Sequence, residues 1–187
     1  MTFYHVPEIP EILNKYLPEG AINKFRDIIF GHILDAGVVN GQAQVVHGLL
    51  LREVESTQPE TIQFFIGGKV LNFGLTEFGV LSGLRIIGNM NMPVFEESDH
   101  RLKNKYFKQD VSVKKQSLLD AIKYRRWEND EDVVKLAILC VIHTYILSSR
   151  PTTLINSDDF ALVETGKYAE YPWGLASFKI VYASLKG

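Results

Sequence analysis

A chain of 187 residues with 46% apolar and 22% charged residues has an ordinary globular composition, which excludes wholesale disorder and allows a real core. A net charge of −2 provides no global attraction to nucleic acid or to an anionic membrane. Cys140 is the single cysteine, so no internal disulfide can form, and a reducing compartment is expected. The N-terminal MTFYHVPEIPEI carries acids and prolines where a secretory signal has a basic and then an apolar region. The most apolar segment, Val133 to Leu147, contains Lys135 and His143 and falls short of the ~20 residues of a membrane helix. These features together predict an intracellular protein, nuclear or cytoplasmic, without membrane contact.

Pro7, Pro10 and Pro18 leave room only for a short helix around Glu11 to Tyr16. Ile22, Phe25, Ile28, Ile29 and Ile33 recur at three- and four-residue spacing and predict an amphipathic helix from Ile22 to Leu34. After a break at Gly37 and Gly41, a second helix is expected from Gln42 to Val54. Phe64 to Leu84, FFIGGKVLNFGLTEFGVLSGL, alternates, turns on Gly67-Gly68, alternates again and then takes a helical rhythm. Glycine supplies the positive φ that a two-residue hairpin turn needs, so a β-hairpin is expected at about 61–73, with Thr76 as N-cap of the helix after it.

Gly88 to His100 has no sustained period and is expected to be a loop, followed by a helix from Val113 to Arg126. Asp132 to Leu147 is apolar nearly all round, the pattern of a helix that others pack around. After Pro151 the pattern predicts a short helix at Asp158 to Glu164. A last helix is expected to begin near Pro172, with Trp173 packed near the hairpin. The fold class expected is mainly α (α+β). It is a single helical domain over 1–187, built around the buried helix at about 132–147, with one small hairpin.

Cys140 and His143 share a helix face, but a nucleophilic thiol needs a helix N-terminus or a cationic neighbour to lower its pKa. Cys140 sits mid-helix among Ile138, Leu139, Val141 and Ile142, which assigns it to the core. No third or fourth ligand accompanies the pair, so no metal is expected. His32, His47 and His100 are isolated. Gly67-Gly68-Lys69 joins two strands and lacks the longer loop of a phosphate-binding motif. The adjacent acids Asp158-Asp159 and Glu96-Glu97 suit caps and solvated loops, and Tyr171-Pro172-Trp173 suits a buried anchor. No catalytic residue and no cofactor is expected.

The remaining candidate is the basic segment from Arg101 to Arg126, net +7 against −9 for the rest of the chain. Arg101, Lys103, Lys105, Lys108, Lys114, Lys115, Lys123, Arg125 and Arg126 are interleaved there with Tyr106, Phe107, Tyr124 and Trp127. Such a face suits an acidic protein partner, or nucleic acid through phosphate contact and base stacking. It also suits an ordinary solvated face, since Lys123, Arg125 and Arg126 close one helix and Glu128 to Asp132 open the next, complementing both dipoles.

Gly68-Lys-Val-Leu-Asn-Phe-Gly-Leu-Thr-Glu-Phe78, followed by Leu81-Ser-Gly-Leu84, resembles the signature of a plant domain of unknown function. Leu49-Leu-Leu-Arg-Glu-Val54, Asp130-Glu-Asp-Val-Val-Lys-Leu-Ala137 and Tyr171-Pro-Trp-Gly174 with Phe178 and Ser184-Leu185 agree with it in order, over about 22–185. The resemblance implies a domain usually found upstream of SUMO-protease-like cysteine peptidases in proteins derived from Mutator-like transposable elements. It is similar in style to the aminotransferase-like plant mobile domain. The sequence ends at Gly187, just past the resemblance, so no peptidase domain is expected in it. The function expected is a non-catalytic protein-interaction or scaffold domain with an unidentified protein partner. The alternative is a nucleic-acid-binding module using 101–127, and an enzyme ranks third.

Overall fold

The computed structural model describes residues 9–35, 43–108, 110, 112–150 and 152–186. Expectations for the first eight residues, Gly37, Gly41, Gln42 and Pro151 lie outside the described residues. In chain order the elements are α1 (Ile9–Tyr16), α2 (Glu19–Arg26), a 3₁₀ turn (Gly31–Asp35), α3 (Ala43–Leu50), β1 (Glu53–Val54), β2 (Ile62–Ile66), β3 (Lys69–Phe73) and α4 (Leu75–Ser82). There follow a 3₁₀ turn (Glu97–His100), α5 (Arg101–Tyr106), β4 (Val113–Lys114), α6 (Lys115–Lys123), α7 (Asp130–Val141) and a π-helical turn (Ile142–Ile146). β5 (Leu154–Ile155), α8 (Ser157–Glu164), a 3₁₀ turn (Lys167–Ala169) and α9 (Trp173–Lys186) complete the chain. The fold is mainly α with a small β component.

Internal packing divides the chain into two compact units, Met1–Val38 with Asn91–Glu170, and Val39–Met90 with Tyr171–Gly187. The first unit surrounds α7. Val133, Leu136, Ala137, Leu139, Cys140 and Val141 are fully buried, and α2, α6 and α8 pack on that helix. Asn129 caps it, accepting the Asp132 N–H at 2.8 Å, and Asp130, Glu131 and Asp132 fill the positive first turn. The helix continues into a π turn, where the Leu147 N–H bonds the Ile142 carbonyl. The central helix expected at about 132–147 is therefore this α7 and π-turn unit.

In the second unit, β1, β2 and β3 form an antiparallel sheet in the order β1-β2-β3. The hairpin register runs Ile62↔Phe73 to Ile66↔Lys69, and Gly67 and Gly68 take φ of +56° and +79° in the turn. Phe73, Phe78 and Phe178 form a triangle of rings 5.8 to 6.5 Å apart that joins β3, α4 and α9. Trp173, expected beside the hairpin, is buried against Tyr171 at 4.5 Å; Phe178 is the α9 ring that meets β3.

Four expectations are corrected. The helix from Ile22 stops at Arg26, because the chain folds back until a Cβ on Gly31 would stand 2.1 Å from the Arg26 carbonyl. Of the periodic residues only Phe25 and Ile33 are buried; Ile29 is 42% exposed and Phe30 takes the core position instead, so the spacing is broken where the helix ends. The second helix ends at Leu50, and Glu53 and Val54 pair instead with Phe64 and Gln63. Val113 and Lys114 pair with Ile155 and Leu154 before α6 begins at Lys115 and runs only to Lys123. Thr76 is inside α4 and not its N-cap; the Gly74 N–H there is held by Glu77 Oε2 at 2.9 Å.

Candidate interaction surface

The basic segment divides by the partners that the fold gives it. Arg101 and Lys105, one turn apart on α5, both reach Asp132, whose side chain is 2% exposed. Arg101 Nη2 stands 2.6 Å from Asp132 Oδ1, and Lys105 Nζ stands 2.9 Å from Oδ2. The Tyr106 hydroxyl donates to the same Oδ2 at 2.6 Å, and Asn129 Nδ2 donates at 3.2 Å. Arg101 also bonds Glu164 on α8, which Lys135 reaches at 3.2 Å. Burial pushes the Asp132 carboxyl up, but the bonds from Arg101, Tyr106 and Lys105 outweigh it and hold the group well below the usual carboxylate range. This network ties α5 and α8 to α7. Its cations already have partners inside the fold.

Lys115 is buried on the inner side of α6, where Nζ donates to the Ser149 carbonyl. Burial pulls its pKa down, partly opposed by the Cys140 thiol. Lys103 stands 3.3 Å from Ser157 Oγ, and Lys123 is half-buried. Only Lys108, Lys114, Arg125 and Arg126 of the nine are exposed without an ion pair among the described residues. Arg126 lies over the exposed Tyr124 ring at 5.4 Å. The sequence counted these charges correctly but could not see which carboxylates faced them. The available signal was the Arg101/Lys105 pair at i, i+4, opposite a capped acidic helix start.

Cys140 is fully buried, and burial pushes its thiol up to about 12. His143 is also buried, with Nε2 3.2 Å from Asp159 Oδ2. Among the described residues no group of three or more His, Cys, Asp or Glu side chains is placed to hold a metal. No helix among them is long and apolar enough to cross a membrane.

The second unit presents different chemistry. α4 has no buried residue, and its Val80 and Leu81 are 80% and 78% exposed. Two clefts adjoin at Gln58 to Thr61, one of about 470 Å³ beside Glu53, Glu55, Tyr182 and Lys186, the other of about 280 Å³ beside Asn72, Gly74 and Glu77. All four carboxylates of the unit, Glu53, Glu55, Glu60 and Glu77, line one or other cleft.

Residues 50–184 match the family described as Domain of unknown function (DUF1985). The chain belongs to that family. No curated protein matches the chain, and no solved structure does. The DUF1985 match takes in nearly all the signature residues noted in the sequence, and omits α1, α2, the turn at Gly31–Asp35 and all of α3 but Leu50. Within the second unit, the DUF1985 residues Phe73, Phe78 and Phe178 are the ring triangle. In this chain those three residues are packing residues.

Proposed function

We propose that this DUF1985 chain is a non-catalytic protein-interaction domain of plant, transposon-derived origin. In larger proteins it would position a SUMO-protease-like peptidase or its substrate, inside the cell. The origin and the peptidase context rest on the resemblance of the sequence. The interaction reading rests on one observation: α4 turns Val80 and Leu81 to solvent in a helix that buries no residue. Exposed apolar groups on a regular element favour a protein partner. Capture from plant nuclear and cytoplasmic extracts tests it, with Val80→Glu/Leu81→Glu as the control. A specific partner retained by the wild type and lost by the control supports the reading; repeated recovery of nothing counts against it.

The second reading, nucleic-acid binding, is favoured by the exposed Lys114, Arg125 and Arg126, the last of them over the exposed Tyr124 ring. It requires binding that weakens steeply with salt and falls on Arg125→Glu/Arg126→Glu. Undetectable binding to single- and double-stranded probes at low salt ends that reading.

A further inference from the structure

β3 is an outer strand of its sheet and, among the described residues, pairs only with β2. The two-residue turn makes Ile66 and Lys69 a hydrogen-bonded pair. Antiparallel alternation then directs the backbone groups of Lys69, Leu71 and Phe73 toward β2, and those of Val70 and Asn72 outward. Two N–H and two C=O groups thus face the open edge. The devices that usually blunt an edge are missing: no proline or bulge interrupts the five-residue register, and the one charge, Lys69, stands at the turn end. Val70 is 52% and Leu71 50% exposed.

The edge is electrically polar along its length. Lys69 begins it. At its other end the 280 Å³ cleft opens, lined by Asn72 from the strand itself and by Glu60 and Glu77. An antiparallel partner strand must therefore bring a cation beside Phe73 and an apolar centre opposite Leu71. The sequence Lys69-Val-Leu-Asn-Phe73 is itself such a strand.

We propose that β3 pairs with β3 of a second copy of this chain, antiparallel about a twofold axis at Leu71. In that register Lys69 lies opposite Phe73 of the other copy, beside its Glu60 and Glu77, and the same contact recurs at the far end. Val70 and Asn72 of each copy exchange N–H···O=C bonds with Asn72 and Val70 of the other, giving four in all. The two leucines meet at the centre, in the close non-hydrogen-bonded position. Assembly stops at two, because the opposite edge, β1, is two residues long and its Glu53 is paired with Lys186. The proposal rests on the interaction-domain reading and supplies it with a partner.

Sedimentation velocity of the intact chain tests this between about 5 and 500 µM, the weak range expected of an interface smaller than the ~1,200 Å² of stable complexes. The expected result is a reversible monomer–dimer equilibrium. Val70→Pro removes an outward N–H that β2 does not use, so the dimer is lost while far-UV circular dichroism stays unchanged. Should that variant unfold, charge exchange decides: Lys69→Glu and Glu60→Lys are each monomeric alone and dimerise when mixed. A monomer across the whole range overturns the proposal, as does dimerisation that persists in Lys69→Glu at wild-type strength. Either failure leaves the interaction-domain reading to the capture experiment, where a different protein held through α4 would still support it.

Discussion

The Gly174 N–H donates to the Arg85 carbonyl at 2.8 Å, so the start of α9 meets, backbone to backbone, the chain that leaves α4 just past the Leu81-Ser-Gly-Leu84 piece. A Cβ on Gly174 would stand 2.9 Å from the carbonyl oxygens of both Leu84 and Arg85, and 2.8 Å from Ile86 Cγ2. Neither carbonyl can yield without moving the chain that leaves α4. Gly174 is thus required by close approach, the first turn of α9 resting on residues 84–86.

Gly174→Ala should therefore destabilise the second unit by about 2–3 kcal/mol, the usual cost of overpacking a rigid contact. Urea unfolding followed by tryptophan fluorescence checks it, since Trp173 is the neighbouring residue. An unchanged midpoint would mean that the 84–86 segment moves aside freely.

Asp132→Asn should cost about 3 kcal/mol, because it leaves Arg101 and the other donors facing a neutral group that cannot replace a buried carboxylate. The pH dependence has a defined sign. The folded-state pKa of Asp132 is depressed, so its contribution is fully present above the unfolded value near 4 and is lost as pH falls below it. The urea midpoint of the wild type should fall steeply on acidification below about pH 4. The gap between wild type and Asp132→Asn should narrow over the same interval.

The hairpin and α7 were legible because each is specified locally, by alternation around Gly67-Gly68 and by an unbroken apolar run. The elements that were missed depend on distant residues. α5 carries little apolar periodicity; what holds it is Asp132, 26 to 31 residues further on, which composition presents only as one acid in a helix start. β1, β4 and β5 are two residues each and exist only as pairs, so no local pattern announces them. The basic segment was legible as charge but not as a surface. Its fate was decided by whether each side chain faced Asp132, the protein interior or solvent.

Arg125 has φ of +51° just past α6, with its N–H on the Ile122 carbonyl and the Arg126 N–H on the Ala121 carbonyl. That pair of bonds is the Schellman arrangement, whose left-handed position glycine fills most cheaply. Arg125→Gly should raise stability by about 1 kcal/mol, read as a higher urea midpoint. The same variant should weaken any salt-sensitive nucleic-acid binding. Stability and binding moving in opposite directions would mark Arg125 as held there for its charge.

Cys140 offers a direct probe of the core. Its thiol is fully buried and shifted up to about 12, so a thiol reagent at pH 8 should label it on the order of 100-fold or more slowly than in urea, through unfolding alone. Rapid labelling of the native protein would place the thiol near the surface and undo the assignment of α7 as the centre of its unit.

Lys115 supplies the opposite pH signature to Asp132. Its folded pKa is lowered by burial, so the folded state binds fewer protons than the unfolded chain between that value and the ordinary lysine value near 10.4. Stability must rise with pH across this window as far as Lys115 is concerned, and a penalty must persist below it. Lys115→Met retains the stem and its packing but removes the charge, at the expense of the bond to the Ser149 carbonyl. The wild type should gain on Lys115→Met as pH is raised from 7 to 10, measured as the difference between urea midpoints. The bonds of Arg101 and Lys105 are common to both proteins and cancel in that difference. A difference independent of pH would mean that the ammonium reaches water in the folded state, and that the inner side of α6 is open beside Ser149.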